Sequence, residues 1–212
     1  MTPERTVGRL SLYRRLLRTE SEKGLRHIFS HQLAVLAGVT AAQIRRDLMC
    51  IGYQGSPRLG YDVQQLGESI ESYLSPGGDQ RLALVGVGNL GRAVLAYFAR
   101  RHRRLSIVAA FDSDAAQIGR VINGCRCYAM EDLADVVRRE DIAAAIIAVP
   151  AAQAQAVADA VTTAGVTGIL NFAPVSLRVS RNVYVEHNDL TVAIEKVAYF
   201  ARTRAQANEV TP

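Results

Sequence analysis

The chain has 212 residues, about half of them apolar, with a formal net charge of +5 and three cysteines. That length suits one or two domains with a core of ordinary size. It excludes a disulfide-stapled scaffold, since Cys50, Cys125 and Cys127 are sparse and odd in number, and a membrane-spanning helix, since no apolar run reaches ~20 residues. The segment "MTPERTVGRLSLYRRLL" lacks the continuous apolar stretch of a signal peptide, so a cytoplasmic location is expected. Residues 1–60 hold ten Arg/Lys against four Asp/Glu, while the remainder is close to neutral. A basic module joined to a neutral one points to a polyanion-binding part and a separate ligand-binding part.

In chain order, "GRLSLYRRLLRTES" places Leu10, Tyr13, Leu16 and Leu17 on one helical face. "SHQLAVLAG" reads as a short helix with Ser30 as N-cap and Gly38 as C-cap. Thr40 to Gln43 fits a capping box, so the next helix starts at Ala41. Two short helices joined by Gly38-Val39-Thr40 make a helix-turn-helix. In its second helix Ile44 and Leu48 face the core, which leaves Gln43, Arg46 and Asp47 outward with Arg45 at the flank. Thr40, Gln43, Arg45 and Arg46 are the candidate contacts to double-stranded DNA: Gln suits adenine, and Arg suits guanine or phosphate. "GYQGSPRLGY" reads as a hairpin or wing, with Arg58 near its tip as a minor-groove or phosphate contact. The alternative is an ordinary helical hairpin with a solvated basic face. "VQQLGESIESYL" is a connecting helix, and "SPGGD" (Ser75 to Asp79) is a linker.

The second module alternates strands (82–86, 106–111, 143–149, 168–172, 183–185) with helices (89–102, 130–138, 151–164, 190–202). The strand runs are continuously apolar, as in a parallel sheet covered on both faces, so the fold class is α/β, doubly wound. The turn Gly86-Val87-Gly88-Asn89-Leu90-Gly91 follows a strand and opens a helix with G-x-G-x-x-G spacing. Gly86 permits the tight turn, Gly88 lets backbone approach a pyrophosphate, and Gly91 lets the helix pack on the strand. Asp112 ends the second strand, 21 residues after the last of these glycines. An acid there accepts from ribose hydroxyls and repels a 2′-phosphate, so NAD+ or NADH is expected over the phosphorylated forms. The alternative is a phosphate-free turn kept for packing.

The run Arg100-Arg101-His102-Arg103-Arg104 reads as favourable charge at a helix C-terminus. Cys125-x-Cys127 lacks a third ligand for a metal, and the four histidines show no metal-ligand spacing. No acid/base set accompanies the dinucleotide turn, and no substrate domain follows it. The bound nucleotide is therefore expected to be a signal rather than a reagent, and the chain a regulator rather than an enzyme. The expected organisation is a winged helix-turn-helix domain (1–75), a Rossmann-like domain (80–188), a C-terminal helix (189–204) and a disordered tail (205–212).

The motifs "GRLSLYRRLL", "VTAAQIRRDL", "GYQGSPRLGY", "VGVGNLGRAVLAYF", "AAFDSD" and "GILNFAPVSLRV", in that order, resemble the Rex family of bacterial redox-sensing transcriptional repressors over roughly residues 7–203. The resemblance implies a homodimer whose C-terminal helix swaps onto its partner, binding to a palindromic operator, and release by NADH. It implies that Gly86, Gly88, Asn89, Leu90, Gly91 and Asp112 hold NAD(H). Val149, Pro150, Phe172 and Pro174 would line its pocket. Arg15, Tyr97 and Asp189 match three residues that change partners with redox state. The stretch Met49-Cys50-Ile51-Gly52, the wing residues Pro57-Arg58-Leu59, and Leu190 depart from the family pattern. The "GxGNLGxA" and "NFAP" segments alone also resemble the CoA-binding domains of succinyl-CoA synthetases. A small NAD-dependent oxidoreductase or a CoA-ligase-like nucleotide-binding subunit is the rival reading.

Overall fold

The computed structural model describes residues 2–99 and 104–209, with side chains to residue 203. The chain forms two compact units, 1–78 and 79–212.

The first unit begins with α1 (Glu4–Glu22), whose buried face is Thr6, Leu10, Tyr13 and Leu17. A two-residue strand β1 (His27–Ile28) leads to α2 (Ser30–Ala37). Ser30 is the first helical residue rather than the N-cap. Phe29 stands before it in extended backbone, and the Gln32 side chain accepts the Phe29 amide at 2.8 Å. Gly38 closes α2 in the left-handed conformation, φ 65°, as the sequence predicts. Helix α3 (Ala41–Cys50) starts at the predicted residue, with Thr40 Oγ1 accepting the Gln43 amide at 3.1 Å. Strand β2 (Tyr61–Asp62) pairs antiparallel with β1, and α4 (Val63–Leu74) completes the unit, capped by Asp62. Between α3 and β2 the loop closes on itself, with Ser56 and Gly60 exchanging both backbone hydrogen bonds at 2.8 Å. That is the predicted hairpin. Two of its three glycines are required sterically: a Cβ on Gly55 would stand 2.4 Å from the Tyr61 ring, and one on Gly60 would stand 2.6 Å from the Ile28 carbonyl oxygen. Leu10, Leu33, Ile44, Leu48, Leu66 and Ile70 close the core.

The second unit is a seven-stranded sheet in the order β5-β6-β4-β3-β7-β8-β9. Its strands are β3 (Gln80–Val85), β4 (Leu105–Asp112), β5 (Val121–Ile122), β6 (Cys125–Ala129), β7 (Ile142–Ile147), β8 (Gly168–Asn171) and β9 (Tyr184–His187). All neighbours run parallel except the short β5–β6 pair. Its helices are α5 (Asn89–Phe98), α6 (Leu133–Arg139), α7 (Ala151–Thr163) and α8 (Leu190–Glu209). Apart from β5, the sheet has the doubly wound order in which the chain leaves β3 in one direction and returns through β7 in the other. Apolar clusters cover both faces. One is built around Phe111, Val136, Ile147 and Val161, the other around Leu84, Leu95, Ala110 and Ile146.

Three features differ from the sequence expectation. Strands β5 and β6 were not predicted, and the helix expected from residue 130 opens with a 3₁₀ turn (Met130–Asp132). Helix α8 runs to Glu209, so residues 205–209 of the expected disordered tail are helical. Ala, Gln, Asn and Glu follow Arg204 with no Gly or Pro to stop the helix before that point. Helix α5 is described to Phe98, and Arg100 to Arg103 of the basic run lie outside the described residues.

Candidate nucleotide and DNA sites

The nucleotide site is built at the switch point, where β3 and β7 carry their connections to opposite faces. A cavity of about 540 Å3 opens there, lined by Gly86, Gly88, Asp112, Val149, Pro150 and Met130 among others. Gly86 and Gly91 do the turning and packing work expected of them. Gly86 has φ 96°, and a Cβ on it would lie 2.6 Å from the Ala148 carbonyl oxygen. A Cβ on Gly91 would stand 2.0 Å from the Gly86 carbonyl oxygen and 3.3 Å from Leu84. Nothing lies within 4 Å of a Cβ on Gly88, so what Gly88 leaves room for is outside the protein. Gly88 also precedes the first turn of α5, whose leading amides have no carbonyl partner within the helix. These features fit the phosphates of a dinucleotide.

Asp112 is tied into the same turn. Its Oδ2 accepts the Val87 amide at 2.6 Å and its Oδ1 accepts the Asp114 amide at 2.9 Å. A carboxylate offers about four lone pairs, so acceptor capacity remains toward the cavity. Arg92 donates to the Val87 carbonyl at 3.1 Å and to Gln117 at 2.6 Å, clamping the turn from outside. Asn89, Leu90 and Gly91 form the start of α5 without lining the cavity, and neither Phe172 nor Pro174 lines it. Phe172 packs on the second apolar cluster, while Pro174 is exposed.

Sequence reasoning passed over Asn171. It is fully buried, accepts the Ala173 amide at 3.0 Å and donates to the Val175 carbonyl at 2.8 Å. Its side chain therefore shapes the "NFAP" turn from within. An Asn closing an apolar strand run, three residues before a Pro, was the available signal.

The cysteine pair belongs to the core. Cys125 and Cys127 are buried on β6, and burial, with Cys127 beside it, pushes the Cys125 thiol up to about 11. Among the described residues no cluster of three metal-ligating side chains exists.

The candidate DNA face lies on α3, where Ala42, Arg45, Arg46, Met49 and Cys50 form one exposed stripe. Thr40 is exposed at its start, and Arg58 is exposed on the hairpin, where Ser56 Oγ accepts the Arg58 amide at 3.3 Å. Arg45 donates to Ser30 Oγ at 3.1 Å, which places it at the flank as predicted. Asp47 overturns its prediction: it is not outward but only 1% exposed. Four donors converge on its carboxylate. Arg9 contributes two (Nε at 2.6 Å, Nη2 at 2.7 Å), and the Tyr13 hydroxyl and Gln43 Nε2 each donate at 2.8 Å. Burial pushes the Asp47 carboxyl up, but the bonds from Arg9, Tyr13 and Gln43 outweigh it and hold it below the ordinary carboxylate value. Gln43 is only partly exposed, and its amide is already engaged.

The three candidate switch residues lie apart in the chain. Arg15 is exposed on α1 of the first unit. Tyr97 is half-exposed on α5, its ring edge-on to Phe98 at 5.5 Å between centroids. Asp189 caps α8, accepting the Thr191 and Val192 amides at 2.8 and 3.2 Å. Beyond it, Leu190, Val192, Ile194, Val197, Tyr199 and Phe200 all stand exposed.

A helix-turn-helix unit carried on a dinucleotide-type α/β unit is the architecture of a nucleotide-responsive transcriptional regulator. A family model described as CoA binding domain matches residues 78–175, and one described as Putative DNA-binding protein N-terminus matches residues 2–48. Redox-sensing transcriptional repressor Rex 2 of Enterococcus faecalis is 40% identical over 206 residues, 97% of this chain and 96% of that protein. Redox-sensing transcriptional repressor Rex of Carboxydothermus hydrogenoformans is 42% identical over 200 residues, 94% and 96% of the two chains. Among solved structures, RSP, described as a Rex-family repressor, is similar with a TM-score of 0.87 and 28% identity over 99% of both chains. The structure of RSP in complex with beta-NAD+ and operator DNA is similar with a TM-score of 0.88 and 28% identity, covering 99% of this chain and 97% of that one. The chain belongs to the Rex family of redox-sensing transcriptional repressors.

Proposed function

We propose that this chain is a cytoplasmic DNA-binding repressor that senses NADH against NAD+ and leaves a palindromic operator when NADH binds. The observation that carries the reading is the 40% identity to a Rex repressor across 97% of the chain, both units included. The intact glycine turn and Asp112 at the mouth of the cavity support it. A relative, RSP, has been solved with beta-NADH and with beta-NAD+ and operator DNA.

In this reading Gly88 and the first amides of α5 take the phosphates, while Asp112 accepts from a ribose. Val149 and Pro150, which line the cavity, stand at the nicotinamide end. The oxidised ring carries a positive charge that the reduced ring lacks. Asp189 distinguishes the two by that charge, and its exchange with Tyr97 and Arg15 carries the difference to the DNA-binding unit. The exposed apolar face of α8 is covered by a second copy, making a homodimer by exchange of residues 189–204. Two recognition helices must then sit ~34–36 Å apart to meet successive half-sites. A switch from 1:99 to 99:1 needs ~5.5 kcal/mol of differential binding, about half of it from each of two sites. Thr40, Arg45, Arg46 and Arg58 supply DNA contacts, with Gln43 at the base edge.

The test is fluorescence anisotropy of a palindromic duplex at one fixed salt concentration, titrated with NADH and, separately, with NAD+. Release by NADH at concentrations where NAD+ leaves the complex intact supports the reading. Equal responses to both sink it. The match of residues 78–175 to a CoA-binding model favours one rival ligand, and competition between CoA and NADH for the free protein decides it.

A further inference from the structure

We propose that Asp47 is a positioning residue that sets which edge of the Gln43 amide faces DNA, and that Gln43 therefore reads an adenine in the operator half-site. The inference rests on the DNA-binding reading of α3.

An ionised carboxylate accepts hydrogen bonds and donates none. Asp47 receives both Arg9 donors and the Tyr13 hydroxyl, an environment that keeps it ionised. Gln43 Nε2 lies 2.8 Å from its Oδ1, so the NH2 end of the amide must be the end turned to Asp47. The carbonyl end is then turned away from the buried cluster. It has no donor among the described residues, and Gln43 sits beside the exposed stripe of Ala42, Arg45 and Arg46. A free glutamine rotates its amide and accepts either a donor or an acceptor from a base. This one is held with its acceptor outward.

In the major groove that polarity has a definite complement. Adenine N6 and cytosine N4 present donors, whereas guanine O6 and thymine O4 present acceptors. The carbonyl takes the amine, and the second Nε2 hydrogen, not needed by Asp47, reaches adenine N7. Cytosine has no equivalent of N7, so adenine is favoured. Asp47 and Gln43 are four residues apart on α3, so the orienting bond lies within one helix and travels with it into the groove.

The experiment starts from a duplex selected by the full chain from a random-sequence pool. Each half-site base pair is then replaced in turn, and binding is read by anisotropy at fixed salt. The expected result is one position where adenine is preferred about 5- to 150-fold. At that position, purine (no N6 amine) or 7-deazaadenine (no N7) binds more weakly to the wild type, and Gln43→Ala does not distinguish them from adenine. Asp47→Asn, whose amide can turn its own NH2 toward Gln43, is expected to flatten the preference at that position alone. A purely structural role for Asp47 would instead weaken binding to all duplexes alike, and that outcome overturns the proposal. If Asp47→Asn does not fold, the side-chain amide protons of Gln43 in ¹⁵N spectra of the wild type decide. A pair separated more widely than those of exposed glutamines, with one proton protected from exchange, supports the bond; shifts and exchange rates like those of exposed glutamines overturn it. If the wild type selects no duplex, the DNA-binding reading falls and takes this inference with it. If it selects one that NADH releases, yet no position responds to Gln43→Ala, only the inference falls.

Discussion

Asp112 accepts the amide of Val87 at 2.6 Å, so the acid that ends the second main strand is bonded to the middle of the glycine turn that follows the first. One carboxylate thus both shapes the glycine turn and lines the cavity in which the proposed reading seats a ribose. Asp112→Ala removes both functions. NADH affinity is expected to fall about 10- to 100-fold, the scale of a charge-assisted bond. Asp112→Asn keeps an acceptor for Val87 but loses the charge, so it should bind NADPH nearly as well as NADH. Titration calorimetry with both nucleotides separates the two effects.

The glycines predict opposite outcomes for the same substitution. Gly88→Ala meets nothing inside the protein, so its melting temperature should match the wild type while NADH binding is lost. Gly91→Ala drives a Cβ to 2.0 Å from the Gly86 carbonyl oxygen, and should lower the melting temperature by several degrees even without ligand. If Gly88→Ala binds NADH normally, the phosphates lie elsewhere.

Asp189 has two separable roles. As a cap it bonds two amides of α8, worth ~1 kcal/mol; as a carboxylate it carries the charge proposed to sense the nicotinamide. Asp189→Asn retains the cap and loses the charge. It should still bind operator DNA while requiring at least ~10-fold more NADH for release. If Asp189→Asn releases DNA at the wild-type NADH level, the charge mechanism is wrong.

Acid should act through Asp47 and alkali through the buried thiols. The folded Asp47 carboxyl lies below its ordinary value, so its stabilisation is present above ~pH 4 and is lost as the pH falls through the lower folded value. Urea midpoints of the wild type should drop more steeply below that pH than those of Asp47→Asn. At neutral pH, Asp47→Asn should itself cost about 1.5–3 kcal/mol, the scale of hydrogen bonds to a charged group. The Cys125 thiol, pushed up to about 11, reverses the sign: its contribution is present below ~8.5 and declines as the pH rises toward about 11. In the native protein near pH 8 a thiol reagent should label Cys50 rapidly and leave Cys125 and Cys127 protected.

The apolar side of α8 predicts the assembly. Ile194→Glu and Val197→Glu alter residues that are 68% and 71% exposed in a single chain, so the fold of each unit should persist. If the wild type sediments as the proposed dimer, both variants should sediment as monomers, and affinity for a palindromic duplex should fall steeply. If both variants remain dimeric, the second copy docks elsewhere.

Most of the α/β unit was legible because strands buried on both faces are continuous apolar runs, and because Gly86, Gly88 and Gly91 mark the turn by spacing alone. Strand β6 was not, because "CRCYA" alternates buried Cys125 and Cys127 with exposed Arg126 and lies within a loop-like stretch. Its pairing with β4 on one side, Ala110 opposite Cys127, and with β5 on the other makes it a strand. Asp47 was misplaced for a different reason. A charged residue on an amphipathic helix is assigned to water by default, and the guanidinium that overrides this belongs to Arg9, 38 positions earlier. Nothing local to α3 announces it. The cap was half legible: Thr40 takes the Gln43 amide, but the reciprocal arm is missing because the Gln43 side chain is drawn to Asp47.

The same cluster gives the first unit a mechanical character. Arg9 and Tyr13 on α1 grip Asp47 of α3 with every acceptor site filled, so the two helices have little freedom to slide past each other. Helix α1 is 19 residues long, roughly 28 Å at ~1.5 Å per residue. A tilt of about 10° about one end moves the other by roughly 5 Å, more than the ~3.4 Å between stacked bases. Held this stiffly, α1 would work as a crank in the proposed mechanism: a modest pull at Arg15 would shift α3 instead of being absorbed as strain.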